Sequence, residues 1–200
     1  QVTSNFSGEQ KSIEIIRAGG ETLTDIRPLV RFNVSVMLEK NGRKETGVYG
    51  IALLSGDEKN FNHVNLEHRF PFCEAEQIFK TILGDKSFVE SNGLVTIYPH
   101  AHKCQSTQQN PNLLLSDQAR VVTRPQLRID ADDVECGHGA TVGQLNEMEL
   151  LYFMTRGFSR AEAYSVLLDG FTKDITNRFL PTSRRGSAFS TISSFLQNYG

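Results

Sequence analysis

Cys136 and His138 stand two residues apart in "DADDVECGHGATVGQL" (130–145), between a run of carboxylates and the start of a helical pattern. Alternate residues of a strand share a face, so a strand here would project a thiol and an imidazole side by side. Those two groups are ligands of zinc, copper and iron–sulfur sites. They are also the beginnings of a nucleophile and its base. The second reading is the poorer one. A catalytic Cys–His pair draws its base from elsewhere in the fold and needs a third group to orient the imidazole. No thiol-hydrolase signature surrounds Cys136. Metal ligation and ordinary packing stay level for this pair on spacing alone.

A second set, His100, His102 and Cys104, also alternates, and a strand through it would aim all three one way. The plainer account makes both histidines solvated polar residues, His100 directly after Pro99. Cys73 and Cys104 read most simply as small buried hydrophobes, a common role for free cysteine. The three cysteines are widely spaced, with no Cys-x-x-Cys pair. That pattern argues against a disulfide framework and for a reducing compartment.

The rest of the chain must position these groups. Two hundred residues can bury one substantial core. No apolar run is long enough to span a bilayer, and the first residues lack a basic-then-apolar leader, so a cytoplasmic location is expected. A net charge of -2 excludes a general nucleic-acid binder, which needs a basic surface to displace counterions. Arg184 and Arg185 do adjoin, but in a Ser/Gly/Pro setting that reads as an exposed linker. Neither a G-x-x-x-x-G-K-[ST] loop nor a strand-borne G-x-G-x-x-G is present, so any nucleotide must be handled by a partner.

Up to about residue 140 the chain consists of short β-type runs separated by turn residues. "SIEIIRAGG" closes on paired glycines, and "VRFNVSVMLEKNGRKETGVYGIALL" predicts a hairpin about Asn41-Gly42. "FVESNGLVTIYPHAHKC" predicts a second hairpin about Asn92-Gly93, and "LRIDADDVECGHG" alternates as a further strand. "CEAEQIFKTILG" is ambiguous, since Ala75, Ile78, Phe79, Ile82 and Leu83 have helical spacing and Gly84 is a plausible stop. After 145 helices take over. Asn146 with Glu149, and Ser159 with Glu162, have capping-box spacing. Leu150, Leu151, Phe153 and Met154 serve a first helix ended by Gly157, and Tyr164, Leu167, Leu168, Phe171 and Ile175 form the stripe of a second. Phe189, Ile192, Phe195, Leu196 and Tyr199 predict a third. The expectation is a β core over 1–144 and a helical domain over 145–200, with sandwich, barrel and β-helix open on pattern alone, since no fixed-period repeat stands out.

Residues 130–171 carry a resemblance. The stretch "DDVECGHGATVGQL", then "LLYFMTRGF" and an alanine-containing helix, resembles the C-terminal signature of the SufB/SufD family of SUF iron–sulfur cluster assembly scaffolds, in the form of its SufD branch. "NLLLSDQARVVTRPQLRI" (112–129) extends it, and His68, Gln77, Lys80 and Asn92-Gly93 fall where comparable residues are expected. The resemblance covers most of 45–180. It implies a right-handed parallel β-helix followed by a small helical domain, and strand instead of helix at 75–83. Family members run to about twice this length, so the chain is expected to begin inside the solenoid.

The resemblance also implies function. It points to a non-catalytic scaffold that pairs with a SufB-like protein and binds a SufC-like ATPase through C-terminal helices. His138 matches a histidine implicated at the SufB interface in receiving the nascent cluster, and Cys136 matches the motif cysteine. Tyr152, Arg156, Gly157, Phe158 and Ala161 match the partner-facing segment. A transient iron–sulfur cluster or iron at the partner interface is the implied cargo, in a bacterial cytoplasm or a plastid. Gly137 replaces the more usual serine, and His102 and Cys104 stand where the family generally has neither group, so those two belong to this chain in particular. Two other classes compete. A β-helical carbohydrate-active enzyme would line a cleft with aromatics, whereas this chain has no Trp and mostly Phe. A stand-alone metal-binding β-protein would need no SufB partner.

Overall fold

The structure, a computed structural model, describes residues 2–16, 22–40 and 43–179, with 192, 194 and 195. Among the described residues nine strands precede two helices: β1 Val2–Ile16, β2 Thr22–Lys40, β3 Arg43–Leu54, β4 Lys59–His68, β5 Glu74–Leu83, β6 Phe88–Ile97, β7 Gln105–Leu114, β8 Arg120–Ile129, β9 Glu135–Gly143, α1 Glu147–Thr155 and α2 Arg160–Phe179. From β3 onward the chain alternates between two parallel sheets, β3-β5-β7-β9 and β4-β6-β8, and so winds a β-solenoid of about three turns. β2 extends the first sheet antiparallel to β3, and β1 pairs antiparallel with β2. The parallel β-helix is therefore preceded by a two-stranded antiparallel extension, whose junction with β3 the sequence pattern reads as a hairpin.

Several expectations meet the register directly. Lys40 pairs with Arg43, which makes the β2–β3 hairpin, although its Asn41-Gly42 turn lies outside the described residues. So do the Arg184–Arg185 stretch and most of the third predicted helix, of which Ile192, Ser194 and Phe195 are described as helical. The second hairpin is overturned: Asn92-Gly93 lies within the unbroken strand β6. Gly93 is needed there for space, since a Cβ at that position would collide with the side-chain amide of Gln108 on the facing sheet. Residues 127–138 are not one strand either, because β8 ends at Ile129 and a corner intervenes before β9.

β5 shows why "EAEQIFKTIL" resembles a helix. Its inward residues Ala75, Gln77, Thr81 and Leu83 are buried in the solenoid. Its outward residues Ile78 and Ile82 are buried with Leu168 and Ile175 of α2. A parallel strand covered on both faces reads as a near-continuous apolar run without period-two alternation. The outer face of β3 does the same with Tyr49, Ile51 and Leu53. Ile192 and Phe195 join that cluster, so the helical segment shares a core with the first sheet.

Inside the solenoid, apolar packing concentrates at the two ends of each coil. One cluster holds Ala52, Leu54, Leu83, Val89 and Ala119, and the other Leu66, Cys73, Ala75, Val95, Ile97, Ala101 and Cys104. Between them the interior is polar, with Gln77, Gln108, Asn110 and Asn112 all buried. Asn110 Nδ2 donates to the Phe79 carbonyl at 2.9 Å, and Thr123 Oγ1 donates to Asn110 Oδ1 at 2.7 Å, which ties the two sheets together. The repeat is real: Glu45, Glu74, Gln105 and Glu135 occupy one column, with steps of 29, 31 and 30 residues.

Candidate functional site

Among the described residues β9 is the last strand of its sheet, and no strand beyond β8 faces it. Its inward positions continue the interior columns. Gln77 of β5 pairs with Gln108 of β7, and Gln108 with His138 of β9, so His138 caps a column that is buried one and two coils earlier. Gln108 Nε2 donates to Gln77 Oε1 at 3.3 Å. Because the opposing sheet stops short, His138 is exposed although its register position is an interior one. Cys136 continues the column of Ala75 and Ser106 and is half-buried against the apolar corner cluster. Burial pushes its thiol pKa up, opposed by a hydrogen bond to the Ser106 backbone. The pair thus shares a face, as the spacing predicts, with the imidazole in solvent and the thiol partly withdrawn.

The expected His100–His102–Cys104 strand does not form. Residues 98–104 are the corner between β6 and β7, with His100 and His102 exposed and Cys104 fully buried. His100 stacks on Tyr98, ring centroids 6.3 Å apart. The corner instead turns Cys104 inward, toward Cys73 and His68.

Corners repeat from coil to coil. Phe72, Lys103 and Asp133 all adopt left-handed backbone, with φ of 60°, 55° and 57°. Each of these precedes an inward residue: Cys73, Cys104 and Val134. Ladder bonds hold the stack, with Phe72 N donating to His102 O at 2.9 Å and Lys103 N to Asp133 O at 2.7 Å. Gln105 N donates to Cys73 O, and Glu135 N to Cys104 O, each at 2.9 Å. The two thiols consequently lie one coil apart on the same side. His68, the last residue of β4, is 3 % exposed and completes a trio whose ligand atoms all lie within 4.8 Å of one another. Burial holds the His68 imidazole below its ordinary pKa and raises that of Cys104. Among the described residues this trio is the one group of three close metal-ligating side chains, and neither Cys136 nor His138 belongs to it. Sequence reasoning missed it, because His68 is 36 residues from Cys104 and only the coil brings them together.

The helical segment presents a second surface. Asn146 Oδ1 accepts from Met148 N at 2.9 Å and caps α1. α1 ends in a Schellman motif: Gly157 N donates to Met154 O at 3.1 Å, Phe158 N to Phe153 O at 3.3 Å, and the two Phe rings meet edge-on. Gly157 has φ 94°, which is the reason for glycine there. Around this turn Tyr152 and Phe158 are exposed, and Arg156 lies 5.0 Å from the Tyr152 ring centroid. Ala161 is exposed on the first turn of α2. The five residues matched to the partner-facing segment are all exposed, as are Met148 and Leu151.

Residues 25–171 match the family described as "SUF system FeS cluster assembly, SufBD core domain". The chain belongs to this family. It is 36% identical over 149 residues to the iron–sulfur cluster assembly protein SufD of Escherichia coli, an alignment covering 74% of this chain and 35% of that protein. It is 30% identical over 165 residues to a SufBD family protein of Synechocystis, covering 82% and 36%. A Plasmodium falciparum SufD is 28% identical over 170 residues, covering 84% of this chain and 12% of that protein. The chain is SufD-like, and it spans about a third of the length of the first two relatives. No helix among the described residues is long and apolar enough to cross a membrane.

Proposed function

We propose that this SufBD-family chain is a SufD-like scaffold subunit for iron–sulfur cluster assembly. It pairs with a SufB-like protein at the open end of the solenoid and meets a SufC-like ATPase through α1 and the turn after it. The observation that carries the reading is His138: an interior-column residue left exposed because the facing sheet ends one strand earlier. An uncovered end coil has unpaired strand edges and inward side chains that a second solenoid could cover.

The chemistry follows from that placement. A cluster in transit is cargo and must be held by few, exchangeable ligands. Imidazole is a weaker iron ligand than thiolate, and a site completed across a subunit boundary exists only in the complex. Motion driven by ATP in the partner can then open it. His138 is the cluster-facing ligand or a proton-handling neighbour of one, with the half-buried Cys136 beside it on the same face. The chain itself is non-catalytic, with its helical segment after 144 turned to the ATPase. Its location is the cytoplasm, or a plastid in a photosynthetic eukaryote, one relative being a chloroplastic Arabidopsis protein.

The test is reconstitution with the SufB-like and SufC-like partners. His138→Ala should lower cluster yield while the complex still assembles, and full yield would rule the role out. Because α2 shares the core of the first sheet, deleting the helices would confound folding with binding. Tyr152→Asp, at an exposed position, should weaken capture of the ATPase, and undiminished capture would place that contact elsewhere.

A further inference from the structure

We propose that His68, Cys73 and Cys104 form a buried binding site for one thiophilic divalent cation, distinct from the Cys136–His138 pair at the open end. The plainer account makes the two thiols small hydrophobes filling a corner, and their neighbours Leu66, Val95 and Ile97 suit that role. The histidine does not fit it. His68 is almost wholly buried, and its Nε2 has no hydrogen-bond partner among the described residues. A buried imidazole nitrogen left so is destabilising, a cost that a residue retained for packing alone would not need to carry. A metal ion at the trio supplies that nitrogen with a partner.

The remaining geometry agrees. The thiols' alternatives are weak sulfur hydrogen bonds, Cys104 Sγ to the Phe70 carbonyl at 3.3 Å and Cys73 Sγ to the Pro71 carbonyl at 3.7 Å, with Cys104 and Cys73 also bonded to each other. Tetrahedral coordination with metal–sulfur bonds of about 2.3 Å needs donors roughly 3.7 Å apart, so atoms already within 4.8 Å of one another need close by no more than about 1 Å. The backbone on both sides of each cysteine is held by ladder bonds, so ordering the ligands costs little further entropy.

Charge selects the ion. On ligation each thiol releases its proton to solvent. Two thiolates, a neutral imidazole and a divalent cation sum to zero, and a buried site tolerates a neutral assembly far better than a charged one. Thiolate and imidazole favour zinc or ferrous iron over calcium or magnesium, which take oxygen ligands. Three protein ligands leave a fourth position for a small exogenous donor. Cys136 packs against the same apolar corner from the last coil and bounds the site on that side.

The experiment is anaerobic titration of the full chain alone, under reducing conditions, with Co2+ as probe and Zn2+ and Fe2+ as competitors. One equivalent of Co2+ should give thiolate-to-cobalt charge-transfer absorption with tetrahedral ligand-field bands, bleached by either competitor. Cys104→Ala and His68→Phe should each weaken binding at least tenfold, while His138→Ala leaves it unchanged. X-ray absorption of the zinc-loaded wild-type chain guards against a variant that fails to fold. It should show two sulfur ligands at about 2.3 Å and nitrogen at about 2.0 Å. Absence of the charge-transfer band, a shell without sulfur, or a signal that depends on His138 would each overturn the proposal. No partner is present, so the outcome is separate from the reconstitution test at His138.

Discussion

Gly93 of β6 and Gln108 of β7 face each other across the solenoid so closely that a single added carbon on the glycine would strike the glutamine amide. The amide cannot easily retreat, since it is 2 % exposed and donates to Gln77. Gln108 lies in the column that runs on to His138. Gly93→Val should therefore destabilise the chain by about 1–3 kcal/mol through overpacking, read from the urea midpoint. Adding Gln108→Ala should recover part of the loss. A neutral Gly93→Val would show that the interior is wider than this spacing implies.

Lys80 is an outward residue of β5 whose Nζ donates to the Phe171 carbonyl of α2 at 2.7 Å and lies 4.9 Å from the Phe171 ring centroid. It is 9 % exposed, so the charge is withdrawn from water, and that pairing is among the contacts that offset its burial. Lys80→Met keeps the stem and loses the bond. Stability should fall by about 1–3 kcal/mol, with faster amide exchange along α2 than in β5 and β7.

The two ends of α1 should respond as separate caps. Asn146→Ala removes the acceptor for Met148 N and should cost about 1 kcal/mol. Gly157→Ala forces a side chain into left-handed backbone and should cost about 1–2 kcal/mol. Thermal melts of the single and double variants check both values. Near-additivity is expected, since the caps share no partner.

Glu162 supplies a pH signature at the start of α2. Its carboxylate accepts from Ser159 N at 2.7 Å and Ser159 Oγ at 2.8 Å, which holds its pKa below the ordinary 4.5. The unfolded chain therefore takes up this proton first on acidification. Its contribution is present above about pH 4.5 and is lost as pH falls through the lowered folded value. Helix content against pH should show this loss in the wild type and lack that component in Glu162→Gln. Ser159→Ala should return the Glu162 carboxyl toward 4.5, followed by its NMR chemical shift.

The sequence by itself determined the local chemistry. Helix caps at Asn146 and Ser159, the stop at Gly157 and the apolar stripe of α2 were legible because each is fixed within one or two turns of chain. So was the shared face of Cys136 and His138, which follows from strand alternation. The motif around them led to the family and so to the β-helix. Residues 74–83 were ambiguous on pattern alone and Asn92-Gly93 misled, each for a physical reason: burial on both faces erased the alternation of β5, and a glycine required for a close approach looked like a turn. Only the tertiary structure decided which residues meet. The coil stacks side chains about thirty positions apart, with changing contents at each level, so neither the repeat nor the His68–Cys73–Cys104 trio leaves a periodic trace in the chain. The exposure of His138 was decided in the same way, because it depends on where the facing sheet stops.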